Sequence, residues 1–183
     1  MVQPAKRVQQ RDGRLEKPQQ LIVDQIPALR RYARALTGER HAADELVQDC
    51  LERAWSRFYL WEPGTDVRAW LFTIMHNLYA NAVRKAKRTP AHVSLAEQDH
   101  MSSMQSNAEA GIEVANLVEA LAYLPDTQRE VLLLVSLEGL TYEEVSRVLG
   151  IPVGTVMSRL SRAREHLRQI MSGASRKGVQ RAT

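Results

Sequence analysis

The chain has 183 residues, enough for one medium domain or two small ones. Hydrophobic residues make up 44% of it, which excludes a wholly disordered chain, and charged residues make up 25%, an ordinary value for a globular protein. The formal net charge is +4, and because Cys50 is the only cysteine, no internal disulfide can form and a cytoplasmic location is expected.

Residues 1–17 are polar and hold five basic side chains against two acidic ones. They lack the apolar core of a signal peptide, so we predict a disordered basic tail. No apolar run in the chain is long enough to cross a membrane, and we therefore expect no membrane insertion.

Helical periodicity dominates from Pro18 onwards. The first predicted helix covers residues 19–36, with Pro27 kinking or splitting it. The second covers residues 41–59, and its apolar stripe includes Trp55. At roughly 100° per residue, a different face of this helix is acidic. That face holds Asp44, Glu45, Gln48, Asp49 and Glu52. By itself such a face is more often solvated surface than a docking site.

The third predicted helix, residues 67–88, is strongly basic. Pro63-Gly64 indicates a turn before it, and Thr65 or Asp66 can cap it. It carries five Lys and Arg and no acid, together with several aromatic residues. Aromatic rings among cations suit stacking on unpaired bases beside phosphate contacts. The alternative is that Trp70, Phe72 and Ile74 are simply core.

Residues 89–111 break the helical pattern. Three acids and no Lys or Arg lie between 91 and 111, which predicts a flexible acidic linker between two domains. A second domain is expected over residues 112–172, followed by a basic tail over 173–183. Within it we predict a helix over 112–123, then a helix over 127–137 capped by Asp126, and a turn at Glu138-Gly139-Leu140.

A helix-turn-helix follows in this second domain. Thr141 and Glu144 form a capping-box pattern, and Gly150 stands where a left-handed C-cap is expected. The last helix, predicted over 153–171, has an apolar stripe formed by Val156, Leu160, Ala163, Leu167 and Ile170. Its opposite surface holds Thr155, Ser158, Ser161, Arg162 and Glu165, with Arg159 and Arg164 on its flanks. The hydroxyl and arginine side chains suit base and phosphate contacts in the major groove. The alternative is a helical hairpin that mediates protein contacts.

Two separate stretches resemble bacterial RNA polymerase sigma factors. DELVQD at 44–49 with Ala54-Trp55, and RAWLFTIMHN at 68–77, resemble region 2. Leu124-Pro125, QREV at 128–131, LTYEEV at 140–145 and VGTVMSRLSRAR at 153–164 resemble region 4. The layout resembles the extracytoplasmic-function group, and residues 61–74 resemble its general-stress-response subgroup. The resemblance covers residues 19–170 and implies an all-α protein, with region 2 over 18–88 and region 4 over 112–172 joined by the flexible linker.

The resemblance also implies roles. The acidic face would dock on the β′ clamp of the polymerase core, and region 4 would meet the β flap. Minus-ten DNA would bind Trp61, Thr65, Asp66, Arg68, Trp70, Asn77, Tyr79, Arg84, Lys85 and Arg88. Minus-thirty-five DNA would bind the polar surface of the last helix, namely Thr155, Ser158, Arg159, Ser161, Arg162 and Arg164. The linker would run near the RNA exit path, and an anti-sigma factor would hold the free protein inactive.

Three positions depart from the family pattern. Met157 stands where a basic residue is common, Asn81 replaces an aspartate, and His76 replaces a small residue. Met157 puts one DNA contact in question. His76 either changes the preference for minus-ten sequences or has no effect on it.

Two other classes of protein share some of these features. An ordinary activator or repressor would share the helix-turn-helix but needs a ligand pocket, a receiver domain or a dimer interface, and no segment reads as one. An enzyme is disfavoured because the five histidines are scattered without zinc spacing and no phosphate-binding loop appears. No catalytic residue, cofactor or metal is therefore expected.

Overall fold

The computed structural model describes residues 18–88 and 116–180, and every regular element within these two ranges is helical. The elements in chain order are α1 (Pro18–Val23), α2 (Ile26–Thr37), α3 (Arg40–Ser56), a 3₁₀ helix (Phe58–Leu60), α4 (Val67–Arg88), α5 (116–122), α6 (Asp126–Leu132), a π-helical turn (Leu133–Leu137), α7 (Tyr142–Leu149) and α8 (Val153–Gln180). The predicted all-α class is confirmed. The predicted tail over 1–17 and linker over 89–111 lie outside the described residues.

Proline splits the first predicted helix in two. Pro27 lies in the first turn of α2, where a residue without a backbone N–H costs no helical hydrogen bond. The α2 helix is capped at its C-terminal end by Gly38, whose φ of 74° is left-handed and whose N–H donates to the Arg34 carbonyl. The chain then turns sharply into α3, and α2 and α3 pack side by side.

The core of the first range joins α2, α3 and α4. Its fully buried large side chains include Tyr32, Phe72 and Met75, and the Tyr32 and Phe72 rings meet edge to face at 5.1 Å. The predicted inward position of Trp55 is wrong, since this residue is 54% exposed. Ala54 occupies the inward position, and Trp55 is rotated about 100° away from it. The α3 helix also ends at Ser56, three residues before its predicted end.

In the second range, α6 begins one residue earlier than predicted. The residue at its N-cap is Pro125, and Asp126 lies in the first helical turn. Asp126 is therefore not the cap, and its Oδ1 accepts hydrogen bonds from Arg129 at 2.6 Å and from Tyr79 at 3.2 Å. The helix widens into the π-helical turn, and Gly139 reverses the chain with a φ of 67°.

The helix-turn-helix has the predicted details. Thr141 and Glu144 form a reciprocal capping box, and Gly150 is left-handed with a φ of 63°. In α8, Val156, Leu160 and Ala163 are buried, and Leu167 and Ile170 pack against the core. The α8 helix continues to Gln180, beyond the predicted end at residue 171.

The two described ranges pack against each other. The α4 helix lies beside α7, and α2 lies beside the π-helical turn, so their buried apolar residues form a continuous cluster. Of the helices in these ranges, none has the length and apolar character that crossing a membrane requires.

Candidate nucleic-acid and protein interfaces

The polar surface of α8 is open to solvent. Its buried stripe turns Ser158, Ser161, Arg162 and Arg164 outwards, while Thr155 and Arg159 are half-buried. Within the described ranges, no ion pair within 4 Å involves an arginine among these predicted DNA contacts on α8. Guanidinium and hydroxyl groups therefore stand at the N-terminal half of the helix, where a recognition helix meets base edges.

Met157 interrupts this polar surface and is 54% exposed. It lies on the second turn of α8, next to Ser158. An exposed thioether in this place offers an apolar contact rather than a charged one.

The loop before α4 is held by its own polar groups. Asp66 Oδ1 accepts a hydrogen bond from the Arg68 backbone N–H at 2.8 Å, so Asp66 caps α4 as predicted. The Thr65 hydroxyl donates to the Glu62 carbonyl at 2.7 Å. Trp61 is half-buried against Phe58, with ring centroids 5.3 Å apart, and Phe58 also meets Trp70 at 6.1 Å.

The α4 helix divides its predicted DNA residues between solvent and core. Asn77, Arg84, Lys85 and Arg88 are exposed. Trp70 is half-buried against the core, in line with the alternative interpretation that it is a core residue. Phe72 is 1% exposed and is a core residue. A basic, solvent-facing surface thus runs along the C-terminal half of α4.

Other predicted minus-ten residues on α4 contact the second range instead. The Arg68 guanidinium donates to Glu138 Oε2 at 2.7 Å and to the Glu138 carbonyl at 2.5 Å. Tyr79 donates to Asp126, and burial raises the pKa of the Tyr79 hydroxyl to about 12. His76 was not among the predicted minus-ten contacts, and its Nδ1 also reaches the second range, 2.7 Å from Glu130 Oε1. In this arrangement these side chains are engaged by α6 and by the turn that follows it.

The acidic face of α3 is exposed over all five predicted residues, Asp44, Glu45, Gln48, Asp49 and Glu52. The face is not uniformly negative, because Asp44 lies 3.8 Å from both Arg34 and Arg40. Asp49 and Glu52 form no ion pair within 4 Å in the part of the chain that the structure describes. They are the least compensated charges of the face.

Sequence reasoning missed Arg31, Glu130 and Glu138. Arg31 Nε and Nη2 donate to the two carboxylate oxygens of Glu138 at 3.1 and 2.7 Å. These contacts join residues 107 positions apart, and a Glu-Gly dipeptide after a helix is an ordinary sign of a solvated turn. No local signal marks them.

No group of three metal-ligating side chains occurs among the described residues. Cys50 is fully buried, its thiol contacts the Leu71 carbonyl at 3.6 Å, and burial raises its pKa to about 12. The cysteine is therefore a packing residue.

Comparisons with known proteins identify the class. The Sigma2 domain of PhyR matches residues 22–76, and Sigma-70 region 4 matches residues 115–167. These two regions, in this order, define a two-region sigma factor of RNA polymerase. The interpretation as an ordinary helix-turn-helix regulator is set aside, because such a regulator does not account for the first region.

Individual relatives give the family. An extracytoplasmic-function (ECF) RNA polymerase sigma factor, EcfG of Rhodopseudomonas palustris, is 37% identical over 152 residues, which is 82% of each chain. ECF sigma factor RpoE of Cereibacter sphaeroides is 31% identical over 131 residues, 71% of this chain and 72% of the relative. The chain therefore belongs to the ECF family of RNA polymerase sigma factors, which are non-enzymatic regulators acting in transcription initiation through a DNA-binding region 4.

Solved structures agree with this assignment. The sigma factor RpoE of Bartonella quintana, crystallised with the anti-sigma factor NepR, matches with a TM-score of 0.71 at 30% identity, covering 84% of this chain and 96% of that one. CnrH, solved in complex with the cytosolic domain of CnrY, matches with a TM-score of 0.62 at 28% identity, covering 85% of this chain and 88% of that one.

Proposed function

We propose that this sigma factor divides its work among three surfaces. The acidic face of α3 docks on the β′ clamp of the polymerase core. The loop over 61–66 and α4 bind the minus-ten element, and the polar surface of α8 reads the minus-thirty-five element while region 4 meets the β flap. The observation that carries the proposal is that the α3 and α8 surfaces are both exposed, on a fold that buries the other side of each helix.

Electrostatics support the α3 assignment. Asp49 and Glu52, which form no ion pair among the described residues, lie three positions apart on one side of α3, whereas Asp44 lies beside Arg34 and Arg40. A negative patch steers and orients a positively charged partner more than it adds raw affinity. We therefore assign the contact with the clamp chiefly to Asp49 and Glu52.

The chemistry of α4 supports binding of unpaired bases. Flipping a base out of the stack costs a few kcal/mol, which stacking and phosphate contacts must offset. Trp61 and Trp70 supply rings beside the loop, and Arg84 and Arg88 supply cations further along α4. Asn77 is exposed between these two groups and can donate or accept at a base edge.

The proposal on regulation is based on the solved structures of similar sigma factors. Two matching structures contain a sigma factor with its inhibitor, NepR in one and the cytosolic domain of CnrY in the other. We propose that an anti-sigma factor also holds this chain inactive in the cytoplasm, that its regulon serves a stress response, and that the chain carries no enzyme activity of its own.

Run-off transcription on genomic promoter fragments tests the proposal. Purified core polymerase is assayed with and without this chain. Initiation at defined start sites that depends on the chain is expected, and the start sites give the promoter sequence. Stable binding to core without initiation would indicate a wrong promoter set. Absence of core binding would contradict the proposed role of α3.

A further inference from the structure

The most deeply buried charge between the two regions is the carboxylate of Glu138. Its side chain has no exposure, and it accepts hydrogen bonds from Arg31 Nε, Arg31 Nη2 and Arg68 Nη2 at 3.1, 2.7 and 2.7 Å. Arg68 Nη2 also donates to the Glu138 carbonyl oxygen. Burying a carboxylate is costly unless charged donors surround it, and here two guanidinium groups do so.

The donors and the acceptor belong to different regions. Arg31 is on α2 and Arg68 on α4, both in region 2, whereas Glu138 follows the π-helical turn of region 4. The two arginines keep 50% and 30% of their side-chain exposure, so they stand at the mouth of the interface rather than inside a core. Phe72 lies under Arg68, with the guanidinium carbon 5.6 Å from the ring centroid, which holds Arg68 in place.

Two neighbouring contacts likewise place a carboxylate of region 4 against a side chain of α4. Region 4 supplies carboxylates at Asp126 and Glu130, and α4 supplies Tyr79 and His76 as their partners. Because α4 carries five basic residues and no acidic one, every carboxylate that contacts it here comes from elsewhere in the chain. Region 4 thus offers acidic groups to the helix that, in the proposed function, receives a nucleic-acid strand.

We propose that Arg31 and Arg68 form a phosphate site for promoter DNA and that Glu138 occupies this site as an internal competitor in the free chain. The inference rests on the proposed binding of DNA by region 2. A planar guanidinium binds a carboxylate and a phosphate with the same fork of N–H donors, so the two anions can replace each other. Arg31 becomes a DNA-binding residue that no sequence motif marked.

The contact between the two regions should weaken DNA binding by the free chain. We call the arrangement with the regions in contact closed and the arrangement with the regions apart open. A ligand that needs the open state binds with an apparent affinity reduced by the fraction of chains that are open. Weakening the Glu138 contact should raise this fraction and hence the affinity of the free chain. Polymerase core, which must hold the two regions apart on two promoter elements, would remove the same restraint in the holoenzyme.

The first test uses Glu138→Gln, which keeps the size of the side chain and removes its charge. The probe is a fluorescent single strand carrying the minus-ten sequence of a promoter found by run-off transcription. The full-length free variant should bind it roughly tenfold more tightly than the unmodified chain. The matched control is Glu119→Gln, an exposed carboxylate of region 4 on α5, which should bind like the unmodified chain. No gain in affinity, including no detectable binding by either chain, overturns the proposal.

Small-angle scattering gives a second readout on the same proteins. The radius of gyration of Glu138→Gln should rise above that of the unmodified chain and of Glu119→Gln. A gain in affinity together with an unchanged radius would overturn the competitor role, since Glu138 would then not be closing the chain.

The third test separates a phosphate contact from a merely structural role of Arg31. In holoenzyme assembled with Glu138→Gln, adding Arg31→Ala should lower the slope of log affinity against log salt for the single strand by about 0.7, the value for one phosphate contact. Arg30→Ala, on the neighbouring exposed arginine, is the control with an unchanged slope. An unchanged slope for Arg31→Ala overturns the phosphate site. Failure of the unmodified chain to bind core or initiate would instead contradict the proposed function.

Discussion

At the scale of single residues, Arg159 and Arg162 bear most directly on promoter reading. They are on the N-terminal half of α8, and neither forms an ion pair within the described ranges. Replacing both with Ala should weaken binding of the holoenzyme to its minus-thirty-five duplex by roughly 1–3 kcal/mol for each arginine that contacts a base. Filter binding and run-off transcription on the native promoter measure this loss.

The control for this pair is Arg168→Ala. Arg168 is on the same helix, two turns further on, and is paired with Glu165. Its loss should leave promoter binding nearly unchanged, because a surface ion pair contributes little. Normal transcription by the double Ala variant would show that α8 is not the recognition helix.

Cys50 offers a residue-scale test of the region 2 core. Because the thiol is fully buried and its pKa is raised to about 12, very little thiolate forms at pH 8. Iodoacetamide should therefore modify the native chain at least about a hundredfold more slowly than the chain in urea. Mass spectrometry of timed samples measures both rates.

A matched variant for this test moves the thiol to the surface. In Cys50→Ser/Ser56→Cys the cysteine stands at an exposed position of α3, six residues further along the same helix. This variant should react at nearly the rate of the denatured chain. Fast modification of native Cys50 would mean that α3 and α4 separate readily.

At the scale of elements, the short α7 helix depends on its capping box. Thr141 Oγ1 accepts a hydrogen bond from the Glu144 N–H at 3.2 Å, and Glu144 Oε2 accepts one from the Thr141 N–H at 2.7 Å. The second contact, with the Thr141 hydroxyl adding to it, lowers the pKa of Glu144 below its ordinary value of 4.5. Thr141→Ala should lower the free energy of unfolding by about 1 kcal/mol.

The pH dependence of this cap has a definite sign. A carboxyl whose pKa is lower in the folded chain stabilises it above the unfolded pKa, and this stability is lost as the pH falls through the folded pKa. Between pH 7 and pH 3, the unmodified chain should lose more stability in urea titrations than Glu144→Gln does. Glu143→Gln, on the adjacent exposed carboxylate, should follow the unmodified chain. Equal losses for Glu144→Gln and the unmodified chain would contradict the capping role.

The exposed face of α3 gives the second prediction at this scale. Asp49→Lys/Glu52→Lys should weaken assembly with core polymerase by about tenfold or more, because like charges then face a positive partner. Asp24→Lys/Glu62→Lys reverses two exposed charges of region 2 outside α3 and should assemble normally. Native gels or competition with another sigma factor measure the difference. Equal assembly by both variants would show that the clamp does not bind the acidic face of α3.

Local chemistry made most elements predictable. The capping box at Thr141, the left-handed Gly150 and the span of α4 were all confirmed, because each depends on residues within a few positions. Trp55 and Asp126 were misplaced for the same local reason: a one-residue shift turns a helical side chain by about 100°. Periodicity predicts which side of a helix is apolar, but it does not predict whether a residue at the border of that side is buried or exposed.

At the scale of the whole molecule, the contact between the regions was beyond any sequence pattern. Arg31 and Glu138 are 107 positions apart, and each looks locally like a solvated charge. Only the packing of α4 beside α7 and of α2 beside the π-helical turn brings them together. The surfaces proposed for polymerase and for the minus-thirty-five element stay exposed in this arrangement, whereas part of the minus-ten surface is covered.

Salt should affect the closed chain and its DNA binding differently. The Glu138 carboxylate is excluded from solvent, so mobile ions screen its pairs with Arg31 and Arg68 far less than they screen exposed charges. The radius of gyration of the free chain should stay constant between 0.1 and 0.5 M NaCl, in scattering experiments that cover this range. Over the same range, the affinity of the holoenzyme for promoter duplex should fall steeply, because phosphate contacts release counterions. A radius that grows with salt would show that exposed charges, rather than the buried carboxylate, hold the two regions together. Glu138→Gln would then not be expected to separate the two regions.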